Sequence, residues 1–151
     1  MGSPLLLGIA GIAVASGLAL TPEYKRMQQN IVKNSRILAE ELIKNGITVT
    51  YGTSDSHIVL IDCNGIGTGK NIADVLEDCN ILVNNCIVPS ISGYHEGIRI
   101  GTTCITQCDI DEKNVKKIGQ IIACVLNNIN NINYEQIKNE VKNVIEVLKK
   151  W

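Results

Sequence analysis

The stretch that decides the fold is Gly97-Ile98-Arg99-Ile100-Gly101-Thr102, in which two isoleucines flank an arginine. The alternation has the two-residue period of a β-strand, so Ile98 and Ile100 are predicted to face a core and Arg99 the opposite side. Glycine on either side lets another backbone or a ligand approach closely. An arginine held on a strand beside small residues suits two-point capture of a carboxylate. The local pattern alone also fits an edge-strand arginine in a surface ion pair.

The composition is typical of one globular domain. The 151 residues are 45% hydrophobic and 19% charged, which allows a sizeable core. Aromatic residues make up only 3% and phenylalanine is absent, so the core must be built from Ile, Leu, Val and Ala. The net charge of −1 gives no field that would attract nucleic acid or an anionic membrane. We therefore expect neither a nucleic-acid partner nor a membrane partner.

The cysteines could form disulfides in a secreted protein or remain free thiols in the cytoplasm. They stand at positions 63, 79, 86, 104, 108 and 124, and no pair has the C-x-x-C spacing. Cys79 and Cys124 lie in apolar helical patterns, where a free cysteine acts as a small hydrophobic residue. This favours reduced thiols and a cytoplasmic location. A metal site is not expected, because His57 and His95 lack a zinc-finger spacing.

Residues 4–20 carry no charged side chain and form a long apolar run. One interpretation is a targeting segment or a short membrane span, with cleavage near Ala15 at an A-x-A site. No lysine or arginine precedes the run, however, and its glycines and serines suit tight helix packing. The preferred prediction is therefore a buried helix. The alternative class of protein is a small secreted or membrane-anchored α/β domain.

Helix and strand signals alternate along the rest of the chain. Thr21 and Pro22 begin a helix that extends to about Lys44 and ends at Asn45-Gly46. Beside the Arg99 stretch, the patterns predict strands at 47–51, 57–62 and 81–83, helices at 70–78, from Asp109 or Asp111 to 126, and at 134–149, a loop at 89–96 and an Asn-rich linker at 127–133. This order predicts an α/β fold, specifically a two-layer α+β sandwich with helices on one face of a small sheet.

The segment from Gly65 to Asn71 contains three glycines and a lysine, which is reminiscent of a phosphate-binding loop. It fails the Walker pattern, because asparagine stands at position 64, where glycine is required, and Asn71 replaces the Ser or Thr. Thr68 is instead predicted to cap the following helix. His57 lies at the entrance of a strand with no convincing nucleophile beside it, so we expect a structural hydrogen bond rather than catalysis.

Several short motifs resemble one enzyme family. The stretch from Ile81 to Pro89, followed after a short loop by the Arg99 stretch, is similar to the C-terminal region of serine hydroxymethyltransferases. Four further segments resemble family motifs in the same order: Gly2-Ser3-Pro4 with its apolar helix (GGP), Thr21-Pro22-Glu23-Tyr24-Lys25 through Lys33-Asn34 (P-E-[FY]-K to K-N), Asp55-Ser56-His57 (D-N-H) and Thr68-Gly69-Lys70 (T-G-K). The resemblance covers essentially the whole chain.

The resemblance implies the small C-terminal domain of a fold-type I pyridoxal-phosphate enzyme over residues 47–151. Residues 1–20 would be the last helix of the large domain, and residues 21–46 a long connecting helix. The family transfers a hydroxymethyl group between serine and tetrahydrofolate and makes glycine. The arginine of its G-I-R-I-G-T motif binds the carboxylate of the amino-acid substrate, and Arg99 matches it. Its GGP segment approaches the cofactor phosphate across a dimer interface; Gly2 and Ser3 match, with Ser3 in place of glycine.

The residues around the family's folate site depart from the family pattern. The family's V-N-K-N reads Val83-Asn84-Asn85-Cys86 here, so Asn84, Asn85 and Cys86 are the candidate folate-site positions, with Cys86 at the contacting asparagine. The following loop is shorter, and basic residues after the arginine motif are lost. These departures put tetrahydrofolate use in doubt more than amino-acid binding. They fit a folate-independent relative, such as an aldolase or transaldolase that cleaves or builds β-hydroxy amino acids.

No lysine of this chain matches the family's pyridoxal-phosphate lysine, which lies upstream of the matched region. The resemblance therefore implies a glycine hydroxymethyltransferase-like transferase that is active only when a partner chain or a missing part supplies this lysine. A homo- or hetero-oligomer in the cytoplasm is expected. The alternatives are an inactive fragment and a stand-alone binding module. An apolar helix at 4–20 would be exposed without the large domain, which favours a split enzyme or a fragment over a soluble monomer.

Overall fold

The computed structural model describes residues 5–148. Six α-helices and three strands, joined by short turns, make up this part of the chain. In order, they are α1 (Leu6–Ala19), α2 (Pro22–Lys44), β1 (Ile58–Asp62), α3 (Gly69–Asp78), β2 (Asn84–Ser90), β3 (Gly93–Gly101), α4 (Thr103–Gln107), α5 (Glu112–Asn127) and α6 (Tyr134–Glu146). The described residues thus contain both the helices and the small sheet that the sequence patterns predict.

The three strands form one antiparallel sheet in the order β1-β3-β2. β2 and β3 are the two arms of a hairpin that turns at residues 91–92, and β1 pairs with the other side of β3. The arginine stretch therefore lies on the central strand of the sheet. The prediction of a strand at this position is confirmed, and the interpretation of Arg99 as an edge-strand residue is wrong.

One face of the sheet carries the hydrophobic core. Ile98 and Ile100 are buried and lie opposite Ile61 and Val59 of β1, which are also buried. These side chains join a single apolar cluster with residues from the helices, namely Leu38 and Leu42 of α2, Ile72 and Leu76 of α3, Val115 and Ile122 of α5, and Ile137 and Val144 of α6. Helices packed on one face of a small sheet confirm the predicted two-layer α/β architecture.

The apolar run at 4–20 forms α1, but no residue of this helix is buried. Leucine and isoleucine side chains point outward on all sides; Leu7, for example, is 82% exposed. The predicted helix is confirmed. The predicted burial is not observed, because contacts within residues 5–148 leave the helix exposed. No single helix in this range is long and apolar enough to cross a membrane, although α1 and α2 together, bent by 77° at their junction, pass that test of length and composition.

Helix α2 begins and ends where the sequence signals predict. The Thr21 side chain accepts a hydrogen bond from the Tyr24 amide at 3.2 Å, and Gly46 takes a positive φ of 83° just after the helix. Leu38 and Leu42, in the C-terminal half of α2, are fully buried. α2 is therefore part of the core. The division of the chain after residues 20 and 46 stays a prediction.

The predicted strand at 47–51 is wrong. Only Val49 pairs there, in an isolated bridge with Ile61. A single turn of 3-10 helix, Thr50–Gly52, follows at once, and Tyr51 takes a positive φ of 63° inside it. This turn directs the chain away from the edge of β1, so the apolar alternation at 47–51 cannot extend into a full strand.

The predicted strand at 81–83 and the predicted loop at 89–96 are also wrong. Ile81 takes part in the cap that follows α3: its amide donates to the Leu76 carbonyl at 2.8 Å, and Asn80 takes the left-handed conformation that closes such a cap. The strand therefore starts only at Asn84. It continues through Ser90, and two residues suffice to turn it into β3. Backbone pairing with the central strand outweighs the weak strand propensity of the polar residues.

Polar caps set the starts of α3 and α5. Thr68 accepts a hydrogen bond from the Asn71 amide at 3.2 Å, as predicted. Of the two candidate caps for α5, the structure uses Asp111, whose carboxylate accepts from the Asn114 amide at 2.8 Å. The short helix α4 between β3 and α5 was not predicted, because only five residues, Thr103–Gln107, adopt it. The helix predicted at 134–149 is confirmed in its type and ends at Glu146 within the described residues.

Replacing Asp111 with alanine should lower the free energy of unfolding by about 1 kcal/mol, because the Asn114 amide would lose its only side-chain acceptor at the start of α5. Asp111→Asn keeps a capping oxygen and should recover most of this loss. Urea unfolding followed by circular dichroism measures the difference. Equal stability of Asp111→Ala and the parent protein would show that the cap contributes nothing.

Asp62 at the end of β1 is tied to the hairpin and to the following turn. Its Oδ2 lies 2.8 Å from His95 Nδ1, and its Oδ1 accepts a hydrogen bond from the Asn64 amide at 2.9 Å. Burial alone would raise the pKa of Asp62. The hydrogen bonds from Asn64, His95 and Ser90 act in the opposite direction and dominate, so the pKa of Asp62 is lowered in the folded state. The folded state therefore favours the ionised carboxylate.

Acid should destabilise the protein in part through Asp62. Because its pKa is lower in the folded state, the ionised carboxylate stabilises the fold above the unfolded-state pKa of about 3.9. This contribution is lost as the pH falls through the folded-state pKa. Asp62→Asn should be less stable than the parent near neutral pH and should lose less stability between about pH 5 and pH 2. Urea unfolding at several pH values gives both curves, and parallel curves would contradict this role.

Candidate functional site

Arg99 is held at the centre of the sheet, on the face opposite the core. It lies opposite Leu60 of β1 and Asn84 of β2. Its neighbours in sequence, Ile98 and Ile100, point into the core, and Arg99 is exposed. A strand paired on both sides leaves the backbone little freedom, so the base of the arginine side chain is fixed.

The Arg99 side chain lines an open depression of about 640 Å³. The other residues of its wall come from β1, β2, β3 and the segments that flank them: His57, Ile58, Glu77, Leu82, Val83, Asn84 and Gly101. Within residues 5–148, the guanidinium has no ion pair and no hydrogen bond to another side chain. The interpretation of Arg99 as part of a surface ion pair is therefore wrong, and its five N–H donors remain free for a ligand.

Close packing fixes the strand on either side of Arg99. A Cβ atom on Gly97 would collide with the carbonyl oxygen of Ile61 and lie 2.8 Å from a methyl group of Val88. Thr102, just after the strand, is fully buried. Its hydroxyl donates a hydrogen bond to the Ile31 carbonyl of α2 at 3.0 Å. The predicted need for glycine at 97 is confirmed, and the threonine secures the other end of the strand to the helical layer.

His57 lines the depression, but its ring does not make the structural hydrogen bond that was predicted. Its side chain is exposed, and its ring forms no hydrogen bond within the described part of the chain. The structural hydrogen bond comes from its backbone, because the His57 carbonyl accepts from the Thr102 amide at 2.9 Å. The ring is thus free to face a ligand beside Arg99.

The three candidate folate-site positions lie on two faces of β2. Asn84 is opposite Arg99 and Cys86 is opposite Gly97, so both share the face of Arg99. Asn85 is opposite Ile98 and points to the other face. Burial raises the pKa of the Cys86 thiol, and the positive charge of Arg99 opposes that rise. Cys86 is therefore a neutral thiol at pH 7, a weak donor in place of an amide.

The described residues do not by themselves form a pyridoxal-phosphate site. No lysine from residues 5–148 lines the depression around Arg99, so no amine is available there for the cofactor aldehyde. The Gly2-Ser3-Pro4 segment, expected next to the cofactor phosphate, lies outside the described residues. Residues 5–148 also contain no group of three or more His, Cys, Asp or Glu side chains that could hold a metal ion. The depression therefore offers a free guanidinium but no amine for the cofactor.

The sequence patterns did not point to Glu77, Leu82 or Val83 as neighbours of Arg99. They reach the depression because Glu77 lies near the end of α3, and Leu82 and Val83 join α3 to β2, which pairs with β3. No local signal marks them, since their proximity to Arg99 depends on the antiparallel pairing of β2 with β3. All six cysteines are free thiols in the structure, and Cys124, expected among apolar side chains, is exposed.

Comparisons with known proteins point to one family. A family model described as serine hydroxymethyltransferase matches residues 1–122. The chain is similar to the serine hydroxymethyltransferase of Cupriavidus necator, with 39% identity over 131 residues, which cover 84% of this chain and 32% of that enzyme. It is 38% identical to the serine hydroxymethyltransferase of Cupriavidus taiwanensis over the same coverage. The chain spans about a third of the length of these relatives. It belongs to the serine hydroxymethyltransferase family.

Proposed function

We propose that this chain supplies the part of a serine hydroxymethyltransferase-type enzyme that binds the substrate carboxylate. The complete enzyme would interconvert serine and glycine with pyridoxal phosphate and transfer the one-carbon unit. A separate chain or a further part of the protein would provide the cofactor lysine. The observation that carries the proposal is the free guanidinium of Arg99, fixed on the central strand and exposed in a depression.

The chemistry of Arg99 supports this role. A guanidinium matches the geometry of a carboxylate with two parallel hydrogen bonds, which fixes the orientation of an amino acid as well as its position. The strand that carries Arg99 is held by the packing of Gly97 and by the Thr102 hydrogen bond. Orientation by such a rigid group determines which bond at the α-carbon is presented for reaction.

The exposed surface of α1 supports the need for a further part. The helix consists mostly of apolar residues, and none of them is buried within the described chain. A helix that is apolar all round is stable in water only when another surface covers it. We propose that the domain carrying the pyridoxal-phosphate lysine covers α1, as the family resemblance implies, and that the assembly is an oligomer in the cytoplasm.

A chimera tests the proposed function. The matching residues of this chain replace the matched segment of the Cupriavidus necator enzyme, so that the remainder provides the cofactor lysine. If the chain is competent, the chimera converts serine to glycine above the rate of the same enzyme with the segment deleted. If the chimera folds, binds pyridoxal phosphate and yet forms no glycine, the chain is a decayed member of the family.

The second candidate function is folate-independent cleavage of a β-hydroxy amino acid. It is favoured by Cys86, whose half-buried neutral thiol replaces the amide at the expected folate contact. The same chimera distinguishes the two reactions. Glycine formation from serine that requires tetrahydrofolate supports the transferase, whereas glycine formation from threonine at the same rate with and without tetrahydrofolate supports the aldolase.

A further inference from the structure

A second polar group lies on the sheet face of Arg99, at the other end of β3. His95 Nδ1 is 2.8 Å from Asp62 Oδ2, and His95 Nε2 is 2.8 Å from the Ser92 hydroxyl. His95 and Arg99 are four residues apart, roughly 13 Å along the strand. The serine, histidine and carboxylate therefore form a continuous hydrogen-bonded chain that is separate from the carboxylate-binding depression.

The protonation of this chain follows from Asp62. Its pKa is lowered by hydrogen bonds that outweigh its burial, so it is a carboxylate at neutral pH and can only accept. His95 Nδ1 must then donate to Asp62. In the neutral imidazole this leaves Nε2 without a proton, so Nε2 accepts the hydrogen bond from the Ser92 hydroxyl. A serine that donates to a histidine oriented by a carboxylate has the arrangement of an activated nucleophile.

The hairpin turn places two free backbone amides next to this chain. The backbone amides of Ile91 and Ser92 make no hydrogen bond within the described residues, so both donors are free for a ligand at the turn. A depression of about 440 Å³ adjoins the turn, and its wall includes the apolar side chains of Val49, Pro89 and Ile91 together with Asp62. Neither Ser92 nor His95 lines this depression; His95 lines a separate depression of about 550 Å³ together with residues 64–68 and Glu96.

We propose that Ser92, His95 and Asp62 hydrolyse small carboxylic esters that reach the exposed turn. The Ser92 oxygen attacks the ester carbonyl while His95 Nε2 takes the hydroxyl proton. The bond to the alcohol oxygen then breaks, and the alcohol leaves with the proton from His95. Water attacks the acyl group on Ser92, again giving a proton to His95, and the acid departs as the proton returns to Ser92. One ester and one water become one acid and one alcohol, with no redox change.

The first test is covalent labelling of the purified chain with diisopropyl fluorophosphate, which forms a bond from phosphorus to an activated serine oxygen and releases fluoride. Intact-mass measurement should show one adduct, and peptide mapping should place it on Ser92. Ser92→Ala should abolish this adduct. His95→Gln should slow its formation about 100-fold, because the general base is lost.

Ser16→Ala is the matched control, since Ser16 is an exposed serine on α1 without a histidine partner, and it should label like the parent. Ser92 is exposed in a turn, so its replacement does not disturb the core. Hydrolysis of p-nitrophenyl acetate should fall in parallel with labelling in the Ser92 and His95 variants. Absence of an adduct on the parent, or an adduct that persists in Ser92→Ala, overturns the proposal. Neither result bears on the role of Arg99.

Discussion

Replacing Gly97 with alanine should lower the free energy of unfolding by about 3 kcal/mol, an amount typical of severe overpacking in a core. The added methyl group would collide with the Ile61 carbonyl of β1 and lie 2.8 Å from a Val88 methyl group of β2. The carbonyl belongs to a neighbouring paired strand, so it can move only if the hydrogen-bonded ladder is disturbed. A loss of this size is a large part of the stability of a small domain.

Gly101 provides the matched control for this substitution. It lies at the other end of the same strand, and an added Cβ atom would meet its nearest neighbour, the His57 carbonyl oxygen, only at 4.0 Å. Gly101→Ala should therefore change the free energy of unfolding by no more than about 0.5 kcal/mol. Urea unfolding of both variants measures the contrast. Equal midpoints would show that close packing at Gly97 is not what holds the arginine strand in place.

Replacing Arg99 with lysine should lower kcat/KM for serine at least 30-fold in the chimera. Lysine keeps the charge but cannot make two parallel hydrogen bonds to one carboxylate, so the loss isolates the geometry of the guanidinium. Truncating one partner of such a charged pair costs about 2–5 kcal/mol, and 2 kcal/mol corresponds to roughly 30-fold. Arg99→Ala should lose more, because it removes the charge as well.

Arg26→Gln is the control for the loss of a positive charge. Arg26 is an exposed residue of α2, 3.6 Å from Glu23 in a surface ion pair, and it lies outside the wall of the depression. Its replacement should leave kcat/KM for serine unchanged. Thermal unfolding of each variant separates a loss of activity from a loss of fold. If Arg99→Lys retains the parent value, the carboxylate is bound elsewhere.

The parts of the fold that depend on local signals could be predicted from the sequence. The alternation around Arg99 indicated a strand with its isoleucines inward, and Thr21, Thr68 and Asp111 marked the starts of three helices. Each of these signals acts over a few residues, through a side chain that bonds a nearby amide or through a two-residue period. They are therefore readable without knowledge of the rest of the chain.

The β2–β3 hairpin could not be predicted in the same way. Its turn lacks the Asn-Gly or Asp-Gly pair that marks tight hairpins, and Asn84 and Asn85 are poor strand residues that β3 recruits through backbone pairing. Apolar residues 81–83 gave a stronger strand signal, but the end of α3 uses Ile81 in its cap. Long-range pairing here prevails over local propensity.

The two candidate sites also differ in whether a local sequence signal marks them. Arg99 stood out locally, because a charge between two isoleucines on a strand must leave the core. The Ser92–His95–Asp62 group did not stand out, since His95 and Asp62 are 33 positions apart in the chain. Only the register of β1 on β3 brings the side chains of Asp62 and His95 together. Contacts within residues 5–148 bury no residue of α1, so the surface that covers this helix could not be predicted from them.

Isothermal titration of glycine into the chimera, in parent and Arg99→Lys forms, tests the central claim most directly. It measures binding of an amino acid whose only anionic group is the carboxylate, without dependence on the one-carbon acceptor. We predict that the Kd for glycine rises at least 30-fold in Arg99→Lys, in line with the loss of a two-point hydrogen bond. An unchanged Kd in a folded variant would contradict the assignment of Arg99 as the carboxylate-binding group.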